Sequence, residues 1–98
     1  MQDLLIKARD LIAKPNGWTQ LYLARTVTGA PCETWNPAAT CFCAIGAIEA
    51  VGASIYATVA MKRAVRGTLG SLSAWNDTPE RTQAEVVAVF DKAIEATK

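Results

Sequence analysis

Residues 36–52, NPAATCFCAIGAIEAVG, decide the fold. Read as one helix, the stretch is apolar on nearly every side, and such a helix must be covered all round by other helices or by a second subunit. Asn36 followed by Pro37 supplies the start, because asparagine caps and proline at the first position gives up no hydrogen bond the helix needed. Gly46 inside the run costs about 1 kcal/mol against alanine, which predicts a second backbone packed close at that point. The expected fold is mainly α: a compact bundle of about four helices around this central helix, residues 36–52.

On the amino-terminal side, Leu4, Leu5, Ala8, Leu11 and Ile12 recur at helical spacing, with Asp3 and Lys7, and Asp10 and Lys14, as i,i+4 pairs on the outer face. Pro15-Asn16-Gly17 stops that helix. Residues 19–35 alternate and are rich in aromatic and β-branched side chains. They read as a short β-hairpin turning at Thr28-Gly29-Ala30-Pro31, with a helix through Leu21 to Arg25 as the competing reading. On the carboxyl side a third helix is expected over 54–66, with Ile55, Tyr56, Val59 and Ala60 inward and a stop at Gly67. Gly70 to Asp77 reads as a loop. The last helix is expected to begin at Thr78 with Pro79 in first position, showing Val86, Val87, Phe90, Ala93 and Ile94 at helical spacing.

A chain of 98 residues, 51% hydrophobic, allows one small domain, residues 1–98. Ten basic and nine acidic residues leave a formal charge of +1, with no field to draw in nucleic acid or an anionic membrane, so no sequence-specific nucleic-acid binding is expected. No apolar run reaches the ~20 residues of a membrane span, and the amphipathic start is unlike a signal peptide, so a cytoplasmic protein without a membrane partner is expected. Cys32, Cys41 and Cys43 are an odd set and are expected to be reduced. With no histidine and no evident fourth ligand, three thiolates make a poor zinc site, and buried cysteine packs as a small hydrophobe.

Nothing in the chain assembles a nucleophile, a base and an orienting group, and no glycine-rich phosphate loop is present. Glu49, in the apolar run, is the one acid whose burial would raise its pKa; a solvent-facing helix edge is the plainer reading. The expectation is a protein that is not an enzyme and needs no cofactor.

The tryptophans carry more. Trp18, Trp35 and Trp75 sit at element junctions beside Gln20, Asn36, Asn76 and Asp77. An aromatic face next to amide and carboxylate edges suits a planar, nucleotide-like ligand, the ring stacking and the amides reading its edge. The same residues are also explained as helix-end staples and caps. Lys62, Arg63 and Arg66 form the single basic cluster, near a helix carboxyl end where cations complement the dipole. Their functional reading is a clamp for the phosphates of that ligand.

Gly17-Trp18-Thr19-Gln20, Phe42-Cys43-Ala44-Ile45-Gly46-Ala47-Ile48, Ala74-Trp75-Asn76-Asp77-Thr78-Pro79 with Arg81-Thr82, and Glu85-Val86-Val87 resemble a small domain family of unknown function from bacterial and bacteriophage genomes. The likeness runs from Trp18 onward and departs at Val27-Thr28-Gly29, where the family tends to be more acidic. It implies a shared fold and a phage or prophage setting, and no catalytic roles. Two functions are compatible with these residues. One is capture of a small nucleotide-like ligand, for instance a host defence signal. The other is docking on a host protein through apolar surface. A homo-oligomer is expected in either case, since a domain this small gains by burying its remaining apolar surface against a copy of itself.

Overall fold

The computed structural model describes residues 2–53, 55–65 and 71–97, and in it the stretch 36–52 changes character halfway. The elements in chain order are α1 (Gln2–Ala13), β1 (Ala24–Thr26), β2 (Pro31–Cys32), β3 (Ala39–Phe42), α2 (Ala44–Ala50), α3 (Ile55–Ala64), α4 (Leu72–Asn76) and α5 (Gln83–Ala96). The described residues thus form five helices and one three-stranded antiparallel sheet of order β2-β1-β3, a mainly helical molecule with a genuine β component rather than a four-helix bundle.

The central helix is therefore shorter than 36–52. Asn36 caps a turn instead of a helix: its Oδ1 accepts from the Ala38 N–H at 2.8 Å, and the Ala39 N–H returns to the Asn36 carbonyl. Residues 39–42 then pair with β1, Arg25 opposite Cys41 and Ala24 opposite Phe42. Thr40 and Phe42 favour extended backbone, and the partner strand supplies the backbone hydrogen bonds that a helix would have found within itself. Helix α2 starts only at Ala44, where the Cys43 thiol caps it by accepting the Gly46 N–H at 3.3 Å.

The hairpin is present, in trimmed form. β1 and β2 pair with Ala24 opposite Cys32, and the turn closes through Thr26 N–H to Ala30 carbonyl and Gly29 N–H to Thr26 carbonyl, with Gly29 at φ +87°. Leu21 to Arg25 is not helical.

Gly46 does meet another backbone. A Cβ there would run into the carbonyl oxygen of Leu23, the residue leading into β1. Gly17 is required for a related reason, since a Cβ on it would collide with the Leu11 carbonyl oxygen and stand 2.9 Å from that of Lys14. The stop at Pro15-Asn16-Gly17 is thus real, with Asn16 in the left-handed region at φ +57°.

Leu5, Ala8 and Ile12 form the buried stripe of α1, which packs against α5 and α2. Its ion pairs differ from the i,i+4 reading: Arg9 holds Asp10 at 3.0 Å and reaches Asp91 of α5 at 2.9 Å. In α3 the inner face is Ala57, Met61 and Ala64, while Ile55, Tyr56 and Val59 are exposed. Both stripes have helical spacing; the buried one sets Met61 between Ala57 and Ala64 as α3 packs against α5, α2 and α4. The expected stop at Gly67 lies outside the described residues. Within the stretch expected to be a loop, Leu72–Asn76 forms α4, capped by the Ser71 hydroxyl.

Helix α5 begins later than Thr78-Pro79. Thr78 to Arg81 closes as a turn, and Thr82 caps the helix in a reciprocal box with Glu85. That box satisfies two orphan N–H groups at once, which a start at Pro79 would not do. Backbone donation from Thr82 to the Glu85 carboxylate is the main reason its pKa lies below the usual range. Because the folded chain holds this carboxylate ionised to lower pH than the unfolded chain does, the box contributes stability above the ordinary glutamate range. The contribution is lost as pH falls through the lowered value. Glu85→Gln is accordingly expected to lower the urea midpoint at neutral pH and to leave little difference from wild type in acid.

Candidate functional site

Three separate sequence segments, 17–20, 42–48 and 74–79, converge on one side chain. Asn76 is fully buried at the end of α4, and its amide makes four hydrogen bonds. Oδ1 accepts from the Trp18 indole Nε1 at 2.8 Å and from the Ala44 N–H, at the start of α2, at 3.0 Å. Nδ2 donates to the Thr19 carbonyl at 3.1 Å and to Asp77 Oδ1 at 3.0 Å. Around it, Gln20 Nε2 donates to the carbonyls of Asn76 and Thr78, and Asp77 accepts the Leu21 N–H at 2.9 Å. Trp75 is buried, and the Arg81 guanidinium lies over its ring at 4.2 Å to the centroid while Arg81 Nε donates to the Trp75 carbonyl.

The structure therefore brings together Trp18, Gln20, Trp75, Asn76 and Asp77, but it turns the polar edges of Trp18, Gln20, Asn76 and Asp77 onto one another and onto the adjoining backbone, while Trp75 lies buried under Arg81. A full amide has two donor and two acceptor positions of this kind, and Asn76 has used all of them. The cluster ties the segment after α1, the start of α2 and the end of α4 into one unit. Trp35 and Asn36 sit in the turn between β2 and β3, Trp35 largely exposed and Asn36 engaged in the turn. Lys62 and Arg63 are in the last turn of α3, exposed to solvent, and Arg66 lies outside the described residues.

The open concavity of interest lies elsewhere, between α3 and α5. It has a volume of about 470 Å3 and is lined by Tyr56, Val59, Ala60, Arg63 and Ala64 from α3, with Lys92 and Ala96 of α5 and Thr97 beyond it. On α3, Tyr56, Val59, Ala60 and Arg63 follow the i, i+3, i+4, i+7 stripe outside the buried face, with Ala64 at the boundary between the two; on α5, Lys92 and Ala96 are one turn apart. The walls are apolar with one aromatic ring, and the two charged groups are both cations. Among the described residues neither Arg63 nor Lys92 is in a salt bridge. A second hollow of similar volume, between the end of α1 and α5, has no aromatic wall, and its charged lining group, Asp91, already holds Arg9.

Of these lining residues, sequence reasoning singled out Arg63 as part of the basic cluster but placed Tyr56 inward and passed over Lys92. The signal for Tyr56 was the rival stripe Ala57, Met61, Ala64. Nothing local points to Lys92, whose place in the groove comes from the packing of two helices distant in sequence.

No described side chain has the surroundings of an activated nucleophile. Burial pushes the Cys43 thiol up, away from thiolate, and the thiol is occupied in capping α2. Glu49 is an exposed carboxylate at the helix edge that accepts the Thr34 hydroxyl at 3.0 Å. Among the described residues no three of the His, Cys, Asp and Glu side chains cluster as they would around a metal ion, and no helix is long and apolar enough to cross a membrane.

Fold and site define a small, mainly helical domain with a three-stranded sheet, whose tryptophan and amide cluster is internal and whose ligand-sized groove is amphipathic. The chain belongs to the family of unknown function DUF6197, whose model matches residues 1–96. No curated protein and no solved structure matches it.

Proposed function

We propose that this protein is a non-enzymatic, phage-type binding protein that captures a small nucleotide-like ligand, for instance a host defence signal, in the groove between α3 and α5. The observation that carries the reading is the groove itself: about 470 Å3, within the usual range for small-molecule sites, with the Tyr56 side chain in its wall and Arg63 and Lys92 as its charged lining. A base or similar planar group stacks on the aromatic wall, and the phosphate meets the cations, where charge-assisted hydrogen bonds are worth most. The clamp expected from Lys62, Arg63 and Arg66 is thus centred on Arg63, with Lys92 from the neighbouring helix as its counterpart.

Native mass spectrometry of gently purified protein, followed by titration with mononucleotides and cyclic dinucleotides, tests this. Retained mass of a few hundred daltons per site, or saturable nucleotide binding, is expected. Arg63→Ala and Lys92→Ala should each weaken binding by about tenfold, the equivalent of one charge-assisted bond. Unchanged affinity in both variants would show that the ligand sits elsewhere.

A further inference from the structure

A different surface, on the sheet side of the molecule, carries an inference independent of the groove. Loop residues Leu21 to Leu23 lead into β1, and the β1–β2 register of Ala24 opposite Cys32 places them across from Glu33 to Trp35, at the open end of the hairpin. Taking about 200 Å2 for a large side chain laid fully bare, Leu21 at 71%, Tyr22 at 49%, Leu23 at 38% and Trp35 at 75% together expose about 500 Å2. That is well over half of the ~800 Å2 that each partner hides in a standard interface.

The loop is also held in a conformation that costs energy. Leu21 has φ +75°, a region branched side chains avoid, and it is kept there by its N–H bond to Asp77, by Gln20 bonded to the carbonyls of Asn76 and Thr78, and by Arg25 Nη2 on the Gln20 carbonyl. Four tethers thus pin a strained backbone whose visible result is an apolar side chain in solvent.

We infer that this end of the hairpin is the contact between two copies of the chain, an isologous dimer interface built on Leu21, Tyr22, Leu23 and Trp35. Its charges fit a copy of itself. Arg25 lies 4.6 Å over the Tyr22 ring, and Glu33 lines the shallow hollow shared by Tyr22, Leu23 and Pro31. Arg25 is fixed in place by donating to the Thr19 hydroxyl and to the Gly29 and Gln20 carbonyls, yet neither it nor Glu33 is in a salt bridge among the described residues, so a two-fold axis would set each copy's cation against the other's anion, where residue i meets j and j meets i. Contact is through side chains rather than strand addition, because β2 has two residues and Pro31 offers no N–H to a further strand.

Sedimentation velocity on the whole chain, in reducing agent because Cys32 borders the hollow, decides the matter. A dimer is expected across the micromolar range. Leu21→Gly relieves the positive φ while removing the side chain, so it should keep the fold, judged by circular dichroism and urea midpoint. Each substitution acts twice in a two-fold contact, so Leu21→Gly with Trp35→Ala should raise the dissociation constant at least a hundredfold. Wild-type protein that stays monomeric to sub-millimolar concentration overturns the inference and returns the surface to an unrelated protein. A folded double variant that remains as dimeric as wild type overturns it too.

Discussion

Asn76→Ala is expected to lower the free energy of unfolding by about 3–5 kcal/mol, a large share of what a small domain possesses. The substitution leaves the buried Ala44 N–H and the part-buried Trp18 indole N–H and Thr19 carbonyl without the partner the amide gave them, at a cost on the order of 1–3 kcal/mol for an orphan cut off from water and less where solvent reaches it, to which the loss of the Asp77 bond and of the side chain's packing adds. Asn76→Asp makes the companion test. It keeps an acceptor for Trp18 and Ala44 but loses both donors and sets a buried charge beside Asp77, so it should be comparably damaging at neutral pH. Urea unfolding followed by tryptophan fluorescence reads both variants. A loss below about 1 kcal/mol in each would mean that water replaces the amide and that the three segments are joined by packing alone.

Gly46→Ala is the second large effect, expected at about 3 kcal/mol destabilising even though alanine is the better helix former by about 1 kcal/mol. The added methyl falls on the Leu23 carbonyl oxygen, which itself accepts the Cys43 N–H at 3.1 Å at the start of α2. Backbone on both sides leaves no side chain to swing away, so the helix and the strand must part. Hydrogen exchange at Cys43 and Gly46 should accelerate along with the fall in urea midpoint. A variant as stable as wild type would show that β1 shifts at no cost.

The sequence made some of this legible and concealed the rest for identifiable reasons. Gly46 announced a close backbone because its helical context offers no other reason for glycine, and Pro15-Asn16-Gly17 announced the end of α1 through chemistry confined to three residues. The stripe on α5 that buries Val86, Phe90, Ala93 and Ile94 was read correctly because its opposite face is polar. Residues 39–43 gave no such contrast. Ala-Thr-Cys-Phe-Cys is too short to show a period, Thr40 and Phe42 lean only weakly toward extended backbone, and strand or helix was settled by whether β1 lay alongside, a fact held some fifteen residues away. On α3 two stripes competed, and the larger and more apolar one, Ile55, Tyr56 and Val59, attracted the inward assignment although Ala57, Met61 and Ala64 are the residues the fold buries. The tryptophan and amide residues were recognised as belonging together, but composition does not say whether such groups face a ligand or each other. In this chain Trp18, Gln20, Asn76 and Asp77 face each other, and the groove rests on Lys92, which no motif marks.

The pairing of α1 with α5 bears on how the chain must be made. Arg9 reaches Asp91 and Gln2 reaches the Ile94 carbonyl, across 82 and 92 positions, while Gln83 donates back to the carbonyls of Ile12 and Lys14. On the ribosome the greasy side of α1, with Leu5, Ala8 and Ile12, emerges some seventy residues ahead of α5, its main cover. At ~5–20 residues per second that side stays only partly covered, by α2, for several seconds of synthesis, in the interval when nascent chains meet chaperones or one another. The chain thus defers completion of this core to α5, and a ribosome that stalls before Gln83 leaves an apolar stripe without its main cover.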